Sequence, residues 1–194
     1  MKHITIIGCG GVGSLLSSHI VYKSITDPYL SELTLIDSDK IEPVNLPYLF
    51  LSDDNAWEDE SPIGHSKVAC LESQLNRIKP SHLTIYTHHA WYQNRKSDIQ
   101  GVVIDCRDTL DELDFTKFKL CVDGKYGNVI VNPSAVVNSK PIPTKYSLNK
   151  DVFYTNYFCA MVCDKFIFSD NMMLQSKRQE YTVEIEGMTF HERS

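Results

Sequence analysis

The 194-residue sequence lacks the features that mark several specialised classes of protein. It has no apolar run as long as a membrane span, and no C-x-x-C pair of the kind that holds a structural zinc ion. Basic residues are not in excess, because the formal net charge is −6. A duplex-binding surface needs a basic face that neutralises phosphates. These absences argue against a membrane protein, a structural zinc site and a nucleic-acid-binding protein.

The six cysteines show no pattern typical of a disulfide framework or a metal site. The chain opens with Met-Lys-His and enters an apolar strand directly, so we expect no signal peptide. We therefore expect reduced thiols and a cytoplasmic protein. Cys121 falls in an apolar strand, and Cys159 and Cys163 fall in an apolar helix. We expect all three to be buried, and we nominate no cysteine nucleophile.

Short apolar strands alternate with amphipathic helices along most of the chain. Strands are predicted at 4–7, 33–36, 83–86, 102–104, 120–122 and 129–131, and helices at 15–24, 64–78 and 156–168. The alternation of Tyr181, Val183 and Ile185 predicts a further edge strand. This order predicts an α/β protein with a doubly wound, mostly parallel sheet, helices on both faces and antiparallel edge strands near the C-terminus. We expect a single domain over residues 1–194, in which the acidic segment 51–62 is a mobile loop.

Glycines follow the first predicted strand at the spacing G-x-G-x-x-G. Gly8, Gly10 and Gly13 make this pattern, and Gly11 adds a second adjacent glycine. Backbone N–H groups at a helix N-terminus bind phosphate, and glycine allows the close approach. Asp37 ends the second predicted strand, where a carboxylate accepts hydrogen bonds from ribose hydroxyls. The unit predicts a Rossmann-like nucleotide site, although it does not separate ATP from a dinucleotide; the same glycines in a tight turn would also allow helix and strand to pack.

Further motifs resemble those of the ThiF/MoeB/HesA-type adenylyltransferases, in the ubiquitin-activating enzyme superfamily. The resemblance is carried by the following segments, in order: 8–14 (GCGGVGS), 33–39 (LTLIDSD), 41–46 (IEPVNL), 63–68 (IGHSKV), 76–80 (NRIKP) and 103–108 (VIDCRD). They span about residues 4–131.

The resemblance implies ATP-dependent adenylation of a carboxylate, usually the C-terminus of a ubiquitin-like or small carrier protein. It assigns the phosphates to the glycine loop, the ribose to Asp37, and positions near the nucleotide to Asp39 and Asn45. Lys67 would neutralise the triphosphate, and Asp108 would hold Mg²⁺, which prefers oxygen ligands. Lys67 and Asp108 are thus the candidate catalytic residues. The family also dimerises, so we expect a homodimer or a larger complex.

The chain departs from the family pattern in three ways. Tyr48 stands where an arginine that pairs with phosphates is expected. Both zinc-binding C-x-x-C pairs are missing, and we expect no helix before the first strand, where many relatives have one. Arg77, Arg107 or a partner's basic residue is a possible substitute for the arginine. One alternative function is therefore a catalytically silent nucleotide-binding or scaffold subunit. Another is an NAD-dependent oxidoreductase, which the glycine motif and Asp37 alone would allow.

Overall fold

The architecture comes from a computed structural model that describes residues 2–46, 49, 61–107, 120–123, 128–131, 151–168, 179–184 and 189–193. Three α-helices and eight β-strands lie within these residues. In chain order they are β1 (Lys2–Ile7), α1 (Gly11–Ser24), β2 (Leu30–Ile36), α2 (Lys67–Ile78), β3 (Thr84–His88), β4 (Val102–Asp105), β5 (Leu120–Asp123), β6 (Asn128–Val131), α3 (Asp151–Phe168), β7 (Gln179–Glu184) and β8 (Thr189–Arg193).

All eight strands belong to one sheet, in the order β3-β2-β1-β4-β5-β6-β7-β8. The strands from β3 to β5 run parallel to one another, and β6, β7 and β8 continue the sheet in antiparallel fashion. The predicted α/β fold with antiparallel strands near the C-terminus is therefore confirmed. The order of strands reverses at β1, and ligands of such sheets bind at the carboxyl ends beside that point.

Side chains alternate along the parallel strands between two differently covered faces. Ile4 and Ile6 of β1 join Leu33 and Leu35 of β2 in the main core, against apolar residues of all three helices. Ile7 lies on the opposite face in a smaller cluster, whose other buried members are Ile36, Tyr92 and Val103. Within the described residues the helices thus cover one face, whereas from the sequence we expect them on both. A 3-10 turn at Tyr92–Arg95 supplies the aromatic side chain of the second cluster.

Two element boundaries differ from the sequence-based expectation. The second helix begins at Lys67 instead of Gly64, because Gly64 takes a left-handed φ of +88° and Ser66 forms a bridge with Lys40. The residues just before Lys67 therefore form a turn, and only Ser66 pairs with the chain that follows β2. Near the C-terminus, the strand predicted at Tyr181 is β7, but it lies between β6 and β8, so β8 is the outer strand.

In the part of the chain that the structure describes, no helix is both long and apolar enough to cross a bilayer. The same residues bring no three metal-ligating side chains together. Cys159 and Cys163 are buried, as expected from their apolar surroundings, and Cys9 is buried as well. Cys121 was expected to be buried as well, but its side chain lies outside the described set.

Candidate nucleotide site

The glycine loop lies where β1 passes into α1, at the reversal point of the sheet. The Gly8 N–H donates to the carbonyl of Ile36 at the end of β2, at 2.9 Å. On the other side, a Cβ at Gly8 would lie 2.9 Å from the backbone nitrogen of Arg107, just beyond β4. Gly8 also has a φ of +87°, so a side chain there is excluded twice. The loop is thus held between β2 and β4.

Gly13 and Gly10 serve the loop in different ways. A Cβ at Gly13 would overlap the carbonyl oxygen of Gly8, so Gly13 is required for packing. A Cβ at Gly10 would meet no atom within 4 Å. Gly10 is the N-cap residue of α1, and no side chain caps this helix end. The free N–H groups of a helix N-terminus beside open space are what an anionic ligand requires.

Asp37 bridges the glycine loop and the chain that follows β2. Its Oδ2 accepts a hydrogen bond from the Cys9 N–H at 2.6 Å, and its Oδ1 accepts one from the Asp39 N–H at 2.7 Å. Burial raises the pKa of the Asp37 carboxyl, whereas these two hydrogen bonds and the charge of Lys67 act to lower it. Burial prevails. The charged form of Asp37 therefore costs stability, as is common for a group retained for binding.

Lys67 is the first residue of α2 and is held to Asp39 twice. Its Nζ lies 2.8 Å from Asp39 Oδ2, and its N–H donates to the Asp39 carbonyl at 3.1 Å. The Ile41 N–H donates to the His65 carbonyl, and this hydrogen bond aligns the chain that follows β2 with the chain that precedes α2. The Lys67 side chain is 10% exposed and that of Asp39 57% exposed. Lys67 also acts electrostatically on both Cys9 and Asp37, so its charge reaches the glycine loop.

Cys9 is unsuited to act as a nucleophile. It is buried within the loop, and burial raises the pKa of its thiol well above the usual value, with a further rise from the Asp37 charge. A thiol must ionise to attack, so this cysteine stays inert near neutral pH.

Asn45 is engaged by its own turn. Its Oδ1 accepts a hydrogen bond from the Glu42 N–H at 2.9 Å, which caps the 3-10 turn at Pro43–Asn45. The structure thus shows Asn45 in a local role, which an irregular loop residue with an amide side chain commonly takes. Asp108 and Tyr48 lie outside the described residues.

The structure shows an ion pair beside the glycine loop, between Arg107 and Asp105, that the sequence did not predict. Arg107 donates from Nε and Nη2 to the two carboxylate oxygens of Asp105, at 2.9 and 2.8 Å. Its guanidinium carbon lies 4.0 Å from the centre of the Tyr92 ring. Burial acts to lower the pKa of Arg107, but the hydrogen bond and charge of the Asp105 carboxylate outweigh it, so that pKa is raised. The only sequence signal is the Asp-x-Arg spacing after a strand.

Arg107 and Arg77, the two residues of this chain that could replace the expected arginine, lie at different distances from the glycine loop. Arg107 abuts the loop, but its guanidinium is committed to Asp105. Arg77 lies in the last turn of α2. Ten residues of helix, about 15 Å, separate it from Lys67 at the other end. Of the expected site residues, the structure therefore brings together the glycine loop, Asp37, Asp39 and Lys67.

The chain is an α/β protein with a glycine loop at the reversal point of its parallel sheet. A family model described as the ThiF family matches residues 1–141. The chain therefore belongs to the ThiF family. Ubiquitin-like modifier-activating enzyme 5 of Drosophila melanogaster and of Drosophila sechellia are each 35% identical to it over 88 residues, which are 45% of this chain. The match spans about a fifth (19%) of the length of these curated relatives.

Solved structures match over a larger share of the chain. The crystal structure of Escherichia coli MccB with ATP matches with a TM-score of 0.68 and 16% identity, covering 99% of this chain and 63% of MccB. MccB with MccA-N7isoASN matches with a TM-score of 0.71 and 14% identity, covering 99% and 64%. At these identities the likeness establishes the shared fold alone.

Proposed function

We propose that this protein binds ATP with Mg²⁺ and adenylates a carboxylate, the C-terminus of a ubiquitin-like or other small carrier protein. One observation carries the proposal. The three candidate ATP contacts, namely the glycine loop, Asp37 and Lys67, are joined by hydrogen bonds through Asp39 at the carboxyl edge of the sheet. Membership of the ThiF family supports the same function, and so does the similarity to ubiquitin-like modifier-activating enzyme 5.

Each contact has a task that its chemistry suits. The N–H groups at the start of α1 would hold phosphate oxygens, and Asp37 would accept hydrogen bonds from the ribose. The ammonium group of Lys67 would neutralise the triphosphate, while Asp108 is retained as the proposed Mg²⁺ ligand. A carboxylate oxygen of the carrier would attack the α-phosphorus, and pyrophosphate would leave as the acyl-adenylate forms. A carboxylate is a weak nucleophile, so alignment and charge neutralisation supply the catalysis.

The first prediction concerns the charge of Lys67. Titration calorimetry with ATP and Mg²⁺ should show binding that weakens by roughly 10- to 100-fold in Lys67→Ala, because a charge-assisted contact to phosphate is lost. Lys40→Ala is the matched control, since Lys40 is exposed and lies one residue after Asp39. It should bind ATP as the unmodified protein does.

The reaction itself is tested by ATP–pyrophosphate exchange with candidate carrier proteins. Exchange that requires both the carrier and Lys67 would support adenylation. Absence of exchange with every carrier tried, together with intact ATP binding, would remove the enzymatic part of the proposal. Tight NAD binding that ATP does not displace would favour an oxidoreductase instead.

A second candidate function is a catalytically silent subunit of a complex. Two ion pairs near the loop favour it. Among the described residues, Lys67 is paired with Asp39 and Arg107 with Asp105, so that both positive charges are already neutralised by carboxylates. Tyr48 in place of the expected arginine points the same way. For this function, Lys67→Ala would leave assembly with the partner and biological activity unchanged.

A further inference from the structure

Asp39 occupies the central place in the hydrogen-bonded chain that joins the candidate ATP contacts. Its backbone N–H is fixed by Asp37, which in turn holds the Cys9 N–H of the glycine loop. Its side chain and its carbonyl both bind Lys67. The Asp39 carboxylate is more than half exposed, whereas the Lys67 side chain is nearly covered.

This arrangement creates a competition for one ammonium group. If the triphosphate lies beyond the reach of Asp39, Lys67 gives up the 2.8 Å contact with Asp39 when its ammonium group turns to the phosphates. We propose that Asp39 is the resting counter-ion of Lys67, that the ammonium group moves from Asp39 to the triphosphate when ATP binds, and that Asp39 thereby sets the affinity for ATP. The inference rests on the proposed function, because it assigns a second position to the same lysine.

The geometry makes such an exchange inexpensive. An ion pair with an exposed carboxylate is weak, because water solvates the carboxylate once the lysine leaves. The hydrogen bond from the Lys67 N–H to the Asp39 carbonyl does not involve the ammonium group. It holds the first turn of α2 in place while the side chain changes partner. Asp39 is thus a positioning residue that acts through Lys67.

The sign of the effect follows from this competition. Asp39→Asn keeps an oxygen acceptor but removes the negative charge that retains Lys67. ATP should then bind about two- to fivefold more tightly, as expected for an exposed ion pair. Adenosine, which has no phosphates, should bind equally well to both proteins. Asp27→Asn is the matched control, since it makes the same change of charge in the turn between α1 and β2.

The decisive experiment is a double-mutant cycle by calorimetry. It compares the unmodified protein, Asp39→Asn, Lys67→Met and the double variant, each with Mg-ATP and with adenosine. If Asp39 acts through Lys67, the gain in ATP affinity should shrink by at least half in the Lys67→Met background.

Three outcomes separate the possibilities. Weaker or unchanged ATP binding in Asp39→Asn overturns the inference. An equal gain with and without Lys67 also overturns it, because Asp39 would then be only a general repulsive charge. Absence of ATP binding by the unmodified protein would instead remove the proposed function, which is a different result from a failure confined to the Asp39 variant.

Discussion

At the scale of single residues, this protein retains polar groups in settings that do not favour their charged forms. Asp37 is one of them, because burial raises the pKa of its carboxyl in spite of two hydrogen bonds. His3 is another. Its Nδ1 lies 2.9 Å from a carboxylate oxygen of Glu32, and its Nε2 lies 2.8 Å from the Thr34 hydroxyl. These contacts connect β1 to β2 on the face opposite the helices.

His3 gives a prediction for the dependence of stability on pH. Burial lowers its pKa below the usual 6.5, and this outweighs the opposing effects of the Glu32 charge and Gln100. The unfolded chain therefore binds a proton more readily than the folded protein does. The contribution of His3 to stability should be complete above pH 6.5 and should be lost as the pH falls through the folded-state pKa.

Urea unfolding between pH 5 and 8 checks this prediction for the unmodified protein and for His3→Gln, which cannot titrate. The variant should lose part of the decline in free energy of unfolding at low pH. His82→Gln is the control, because His82 is exposed. An identical pH dependence in all three proteins would contradict the assignment.

The sequence predicted several residues of the candidate site but not the hydrogen bonds and ion pairs between them. The spacing of Gly8, Gly10 and Gly13 and the place of Asp37 after a strand were sufficient to predict a phosphate loop. The salt bridge between Lys67 and Asp39 could not be predicted, because it depends on how the chain before α2 returns to the residues that follow β2. Asn45 was assigned to the nucleotide by resemblance, whereas its amide caps a turn.

At the scale of elements, the glycine loop contains residues with separable tasks. Gly13→Ala should destabilise the protein by about 3 kcal/mol or more, because the new methyl group would overlap the Gly8 carbonyl oxygen. Gly10→Ala should have little effect on stability, since its methyl group meets open space. The same methyl group would obstruct a phosphate at the start of α1. Gly10→Ala should therefore weaken ATP binding by tenfold or more while the fold is kept.

Thermal unfolding and ATP calorimetry on the two glycine variants measure these separate effects. Each variant is the control for the other, because both add one methyl group to the same loop. A Gly10→Ala protein with unchanged ATP affinity would place the phosphates away from this helix end.

One helix start and one strand near the C-terminus differ from the prediction. The helix predicted from Asn156 begins at Asp151. The outer strand β8 was missed because its sequence, Thr-Phe-His-Glu-Arg, shows no alternation of apolar residues. Pairing with β7 decides its conformation, and such pairing is a tertiary effect that a local pattern does not contain.

At the scale of the whole molecule, ATP binding should be linked to global stability. The candidate site draws on residues that follow β1, β2 and β4 and on the start of α2, so unfolding would destroy it completely. ATP with Mg²⁺ at a hundredfold excess over its dissociation constant should raise the free energy of unfolding by about 2.7 kcal/mol. Denaturant unfolding with and without ATP measures this difference. NAD at the same concentration should produce no rise, and Lys67→Ala should need far more ATP to show one.

The position of the glycine loop between β2 and β4 also has a consequence for protein synthesis. The loop, α1 and β2 leave the ribosome well before β4 is made. Until then the loop lacks the Cys106 N–H that donates to the Ile7 carbonyl, as well as the backbone of Arg107 beside Gly8. A nascent chain therefore has no complete cradle for a nucleotide until β4 has emerged and paired with β1. A nucleotide that binds as proposed would therefore not guide the earliest folding steps, and would select only chains whose central sheet has already formed.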